Sequence, residues 1–126
     1  MLANRLARAL GAAALFLLSV SCFLLAAPRG PLQFEPAQLP AAQVGVAYDA
    51  RVTISDNATP AGQFSVSEGA LPMGLALERI PGEPNAAHIF GTPEEAGTFT
   101  FRIFVWCYGT NVSGQTGEKQ YSLVVQ

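Results

Sequence analysis

The sequence predicts an all-β domain, a sandwich of two packed sheets, behind an apolar N-terminal segment. Apolar and polar residues alternate over 48–54 and again over 98–103, at the start of a strand expected over 98–108, which is the period-two pattern of a strand with one buried face. Turns rich in glycine and proline separate these short runs. The apolar segment ends at residue 27, and the 99 residues that follow it are about the size of one β-sandwich domain.

The charge of the chain is low and evenly spread. The formal net charge is −2, and without Arg5 and Arg8 the remainder has five basic residues against nine acidic ones. No cluster of basic residues is present in the sequence, which argues against a nucleic-acid partner. The mild acidity is typical of an ordinary soluble surface.

The first 27 residues predict a membrane-spanning helix. Residues 9–27 carry no charge and would extend about 28 Å as a helix, close to the roughly 30 Å apolar thickness of a bilayer. Arg5 and Arg8 outweigh Arg29, which predicts a cytoplasmic N-terminus and a periplasmic domain at a bacterial inner membrane. We therefore expect an uncleaved signal anchor that holds the chain in the lipid bilayer.

Two alternatives to this anchor stay open. A cleaved signal usually has an apolar part of about 7–15 residues before a small-x-small site, whereas this run is longer and ends in Leu25-Ala26-Ala27. In a lipoprotein, Ser19-Val20-Ser21-Cys22 would resemble a lipobox and Cys22 would carry the lipid. Ser19 departs from the usual aliphatic residue, and the apolar run continues beyond the cysteine.

Extended segments follow the anchor. Residues 28–40 hold four prolines and no periodicity, which predicts a stiff spacer over 28–38 and a domain over 39–126. Phe64 and Val66 give the inner face of the second strand, which we expect to end before Glu68 because a lone carboxylate is costly to bury. The inward positions of the first strand are Tyr48, Ala50, Val52 and Ile54.

Residues 69–101 contain the most specific pattern of the chain. It consists of Leu71-Pro72-Met73-Gly74-Leu75 and, after a polar insert, Gly91-Thr92-Pro93-Glu94-Glu95-Ala96-Gly97-Thr98-Phe99-Thr100-Phe101. These phrases resemble the "LPxGL" and "GTPxxAGTYTF" phrases of a family of bacterial Ig domains of cadherin-like type. The resemblance covers about residues 39–125 and implies an Ig-like, cadherin-like Greek-key β-sandwich. It implies a scaffold and no particular reaction.

The later elements complete the predicted sandwich. Residues 78–87 are expected to form a loop, and the last two strands, over 98–108 and 120–126, are joined by a loop over 109–117. The inward positions before the loop are Leu71, Met73, Leu75 and Leu77. The resemblance implies that the inward positions of the strand over 98–108 are Phe99, Phe101, Ile103, Val105 and Cys107. The inward positions of the last strand are Tyr121, Leu123 and Val125.

Few residues point to catalysis or metal binding. His88 is the only histidine, and no nucleophile or paired base accompanies it, so we interpret it as structural or exposed. Asp56-Asn57 lacks the repeated acidic ligands that calcium needs. Cys107 has the inward phase of a buried thiol, and Cys22 lies in the apolar segment, so no internal disulfide is expected. We predict no enzyme, no cofactor and no metal.

The outward face of the 98–108 strand differs from what the resembled family usually has there. When the inward positions point to the core, the alternate residues point outward, because the strand period is two. Large exposed aromatics beside an arginine would form an apolar patch of the kind that marks a binding surface. Coverage by the spacer or a loop, or a bulge that exchanges the faces, would remove the patch. The candidate partner-binding residues are Arg102, Phe104, Trp106 and Tyr108.

These observations predict a non-catalytic, membrane-anchored extracytoplasmic module. We expect it to dock onto other membrane proteins as an accessory or scaffolding subunit of a larger complex. The alternative is an exported or lipid-anchored module for carbohydrate binding or cell-surface adhesion, in which Phe104, Trp106 and Tyr108 would stack on sugar rings. An enzyme is the least favoured class.

Overall fold

The computed structural model describes residues 30–109 and 114–126, and these form seven β-strands. The strands are β1 (Gln33–Glu35), β2 (Tyr48–Ser55), β3 (Ala61–Gly69), β4 (Leu75–Arg79), β5 (Ala86–Gly91), β6 (Gly97–Cys107) and β7 (Thr116–Val125). Within the described residues, no helix is long and apolar enough to cross a bilayer. The predicted anchor over 9–27 and Cys22 lie outside the described residues.

Two antiparallel sheets pack face to face. The first has the strand order β1-β2-β5-β4 and the second has the order β3-β6-β7. This is the strand order of a constant-type immunoglobulin sandwich, so the predicted all-β, Ig-like fold is confirmed for the described residues. Alternate side chains of both sheets fill the core. Its most buried large members are Val52, Ile89, Phe101, Ile103, Val105 and Leu123.

The two glycine/proline phrases of the sequence meet in space. Gly74 and Gly91 have φ of +96° and +129°, a region that L side chains rarely adopt. A Cβ on Gly74 would lie 2.0 Å from the carbonyl oxygen of Thr92, and a Cβ on Gly91 would lie 2.1 Å from the carbonyl oxygen of Gly74. Pro72 and Pro93 are fully buried beside this contact. The spacing of the phrases therefore encodes a close approach of two turns.

The prediction of a spacer over 28–38 is wrong for its second half, which belongs to the sandwich. Gln33–Glu35 pairs antiparallel with β2 in full register, and Leu32 is buried in the core. Tyr121 Oη donates to the carbonyl oxygen of Pro36 at 2.9 Å. The prolines bound a very short edge strand, because proline interrupts a ladder without preventing an extended chain.

Two other expectations within the sandwich are corrected. β3 continues through Glu68, since a register shift after Val66 turns this carboxylate to the exposed face beside Arg102. Met73 is 67% exposed and does not face inward, because it lies in the turn before β4.

The predicted loops are also shorter than expected. β4 extends to Arg79 and β5 begins at Ala86, so the predicted loop over 78–87 is reduced to the residues between them. The predicted loop over 109–117 loses its end to β7, which begins at Thr116. Pairing with a neighbouring strand extends these strands through polar residues. Such residues lack the apolar pattern of a strand, so the sequence pattern does not predict them.

Candidate functional site

β6 is the central strand of the second sheet, and its two faces have opposite character. Phe101, Ile103, Val105 and Cys107 are each 3% exposed or less on the inner face. Desolvation by this burial raises the pKa of the Cys107 thiol, which fits the predicted inert cysteine. β6 pairs with β7 without a register shift, so the faces do not exchange along the strand. The predicted phase of the strand is therefore confirmed.

The outer face of β6 ends in an exposed aromatic pair. Trp106 is 36% exposed and Tyr108, just beyond the strand, is 47% exposed. Their ring centroids lie 5.2 Å apart at an interplanar angle of 85°, an edge-to-face contact of the kind aromatic pairs prefer. The prediction that both residues point away from the core is confirmed. We call Trp106 and Tyr108 the aromatic pair.

Gly62 supports the inner side of the tryptophan ring. A Cβ at this position would lie 2.1 Å from Cζ3 of Trp106, so the indole lies directly on the glycine backbone. Gly62 occupies the register shift between Ala61 and Gln63 in β3, and its carbonyl oxygen accepts from Arg79 Nη1 at 2.9 Å. One side of the indole is thus held against the protein and the other side is available to a partner.

Tyr108 is held by the loop between β2 and β3. Its backbone N–H donates to the carbonyl oxygen of Pro60 at 3.1 Å, and its carbonyl oxygen accepts from Thr59 Oγ1 at 2.5 Å. Asn57 Nδ2 in turn donates to the carbonyl oxygen of Thr59 at 2.7 Å and to Asn85 Oδ1 at 3.0 Å. The polar loop therefore fixes the position of the aromatic pair, and Asn57 has a structural role.

The other two candidate residues lie lower on the same face and are less exposed. Phe104 is partly buried between its cross-strand neighbours Ser65 and Glu118, which corrects the expectation of a third fully exposed aromatic ring. Arg102 lies on the outer face as predicted, with Nε 3.6 Å from a carboxylate oxygen of Glu68. An ion pair that is largely exposed contributes little to stability. Nη2 of Arg102 also donates to Gln120 Oε1 at 3.4 Å, so neighbours on both adjacent strands contact this side chain.

Polar side chains surround these four residues on the neighbouring strands. They are Gln63, Ser65 and Glu68 on β3, and Thr116, Glu118 and Gln120 on β7. The alternation of the sequence identifies Ser65 as outward, but nothing in the sequence marks Gly62, whose role depends on the register shift. Beside Arg102 there is a cavity of only about 110 Å³. Small-molecule sites usually hold about 300–1,000 Å³, so this face suits a surface contact better than an enclosed ligand.

His88 lies elsewhere, on the outer face of the first sheet. It stacks on Phe90 with ring centroids 4.4 Å apart, and its Nδ1 lies 3.2 Å from Asp49 Oδ1. These contacts are those of a structural surface histidine. Over 30–109 and 114–126, no three potential metal ligands cluster together.

Comparison with known proteins places the chain in a family. No curated protein sequence matches it. The SrpA adhesin from Streptococcus sanguinis is 17% identical with a TM-score of 0.54, over 80% of this chain but only 59% of the adhesin. A PapD-like domain of human CEP192 is 12% identical with a TM-score of 0.52, over 79% of this chain and 89% of that domain. At these identities the similarity concerns the fold alone. A family model described as "Putative Ig domain" matches residues 31–126, and the chain belongs to this family.

Proposed function

We propose that this chain is a non-catalytic module that docks a partner protein through the outer face of β6. One observation supports the proposal above all others, namely the exposed aromatic pair on the face opposite a fully buried inner face. Tryptophan, tyrosine and arginine are the residue types most often found as energetic hot spots of protein interfaces. Arg102 lies on the same face as the pair.

The layout of this face favours a protein as the partner. An apolar centre made by Trp106 and Phe104 is bordered by Gln63, Thr116 and Glu118 on the two neighbouring strands. Protein interfaces commonly combine an apolar centre with a polar rim. Because the loop before β3 already holds Tyr108, little ordering is required when a partner binds.

The proposal includes a membrane anchor and a periplasmic location. Residues 9–27 carry no charge, and Arg5 and Arg8 precede them. This pattern suits a retained helix with a cytoplasmic N-terminus and with the sandwich outside the cytoplasm of a bacterial cell. An anchored sandwich that docks a partner through the outer face of β6 would serve as an accessory or scaffolding subunit of a membrane complex.

Carbohydrate binding or adhesion is the second candidate. It is favoured by exposed aromatic rings bordered by polar side chains, an arrangement that can stack on sugar rings. The rings of Trp106 and Tyr108 stand at 85° to each other, however, so they do not form one flat platform. This geometry suits a protein surface better than a sugar chain.

Co-purification of the full chain from detergent-solubilised membranes tests the proposal. We expect a partner protein in fixed stoichiometry and an intact mass that begins at Met1 or close to it. Retention on a polysaccharide matrix without a protein partner would contradict protein docking and favour the second candidate. A mass beginning at Pro28, or a lipid on Cys22, would refute the retained anchor.

A further inference from the structure

Within the described part of the chain, the two sheets have four edge strands, and three of them are protected against pairing with another chain. An edge strand exposes unpaired backbone groups to other chains, and proteins usually protect it by short length, proline, charge or a bulge. β1 has three residues between Pro31 and Pro36, and β3 contains two register shifts. β4 ends in the charged Glu78 and Arg79. β7, by contrast, has ten residues and pairs with β6 without a shift.

Among the described residues, the outer edge of β7 is paired only at its C-terminal end. The N–H of Ala42 donates to the carbonyl oxygen of Val124 at 2.8 Å, and the N–H of Gln126 donates to that of Ala42 at 2.9 Å. Backbone groups of an antiparallel strand alternate between its two edges. The N–H and C=O groups of Gln120 and Ser122 therefore point to the same outer edge, where no described backbone group pairs with them.

A groove runs along these unpaired groups. Its volume is about 470 Å³, and it is lined by Ala37, Leu39 and Ala41 on one side and by Gln120, Ser122 and Val124 on the other. Among the residues that the structure describes, those that line the groove are all uncharged. The segment opposite β7 is held at both ends, because Pro36 accepts from Tyr121 Oη and Ala42 pairs with the end of β7. The groove is thus a fixed feature of the fold.

We propose that this groove accepts an extended, uncharged segment of a partner protein, which pairs with Gln120 and Ser122 as an added strand. Backbone N–H and C=O groups that are spaced along the outer edge of a strand are matched by another strand, and by few other ligands. The neutral lining excludes a charge-selective partner. A second copy fits poorly, because its own β7 is flanked by its own residues 37–41. The site is independent of the aromatic pair, which lies on the face of the sheet and not at its edge.

Amide hydrogen exchange on the full chain in mild detergent tests the site. The probes are nine-residue peptides selected from a random displayed library and then synthesised. We expect the amides of Gln120 and Ser122 to exchange rapidly in the free chain at every protein concentration, and to become protected when a selected peptide binds. Trp106→Ala should leave this binding unchanged, which separates the edge site from the proposed docking face.

Substitutions at Ser122 isolate the backbone donor. Ser122→Pro removes the outward N–H while sparing the ladder to β6, a position at which an edge strand tolerates proline. We expect it to lower peptide affinity at least tenfold, whereas the matched Ser122→Ala should bind like the wild type. Ala41→Lys places a charge in the groove at an exposed position and should also abolish binding, even if the proline variant does not fold.

Four results would overturn the proposal. The first is failure of the library to yield any peptide that protects these two amides. The second is concentration-independent protection in the free chain, which would mean that other residues of the chain cover the edge. The third is protection that appears only at high protein concentration, which would identify a second copy as the occupant. The fourth is peptide binding that survives both Ser122→Pro and Ala41→Lys.

Discussion

The two faces of β6 differ in what holds their side chains. On the inner face, Phe101, Ile103 and Val105 are enclosed by both sheets and are at most 1% exposed. On the outer face, Trp106 packs on the backbone of Gly62 and against the ring of Tyr108, and it keeps 36% of its surface exposed. The two faces of one strand thus differ in character, since residues one position apart lie in different environments. The inner face holds the sandwich together, and the outer face presents large side chains that keep part of their surface exposed.

Truncation of the inner face should have the largest effect on stability. Phe101→Ala removes a fully buried ring and should lower the free energy of unfolding by about 3–5 kcal/mol. A domain of this size has about 5–15 kcal/mol in total, so the variant should be marginal. Fluorescence of Trp106, the only tryptophan of the chain, reports the unfolding in urea.

Phe101→Leu is the matched control for this truncation, because it keeps most of the apolar volume and should cost less than Phe101→Ala. If the free energy of unfolding of Phe101→Ala were within about 1 kcal/mol of the wild-type value, the assignment of the two faces would be incorrect.

A smaller effect is expected at Tyr121, which lies opposite Phe101 on β7. Burial, and secondarily the negative charge of Glu35, raises the pKa of Tyr121 to about 12. The unfolded tyrosine ionises near pH 10. The folded state therefore binds the proton more tightly, and this contribution is complete below about pH 10 and is lost as the pH rises towards 12.

Tyr121→Phe tests this linkage. The variant loses the hydrogen bond to the carbonyl oxygen of Pro36, which should cost about 1 kcal/mol at neutral pH. Its deficit relative to the wild type should shrink above pH 10, because phenylalanine cannot ionise. Urea unfolding from pH 8 to pH 12 measures both quantities. An alkaline loss as steep in the variant as in the wild type would show that Tyr121 is not its source.

Pattern reading of the sequence predicted the inner face of β6 better than the surroundings of the outer face. The two turn phrases and the alternation of apolar residues located the sandwich, because burial leaves a period-two signal in the chain. β1 was missed, since its three residues between prolines carry no such signal. Glu68 was misplaced because the register shift in β3 depends on pairing with β6. The contact between Gly62 and Trp106 depends on the other register shift in β3, between Ala61 and Gln63.

The edge of β7 could not be predicted for a related reason. Alternation identifies which side chains point inward, but it does not say which strand lies at the edge of a sheet. That property follows from the strand order and from the course of residues 36–42 beside β7. Sites made of backbone groups are therefore visible only in the folded chain.

The most direct test of the proposed docking role of the outer face of β6 is Trp106→Ala in the full chain. Calorimetric unfolding and recovery of the partner from solubilised membranes are measured on the same preparation. We predict a loss of at most about 1 kcal/mol in stability and a loss of about thirtyfold in partner affinity, which corresponds to about 2 kcal/mol. Met73→Ala, a truncation at another exposed apolar residue, should change neither quantity. Unfolding of the Trp106→Ala variant, or a stable variant that keeps its partner, would contradict the assignment of this face to docking.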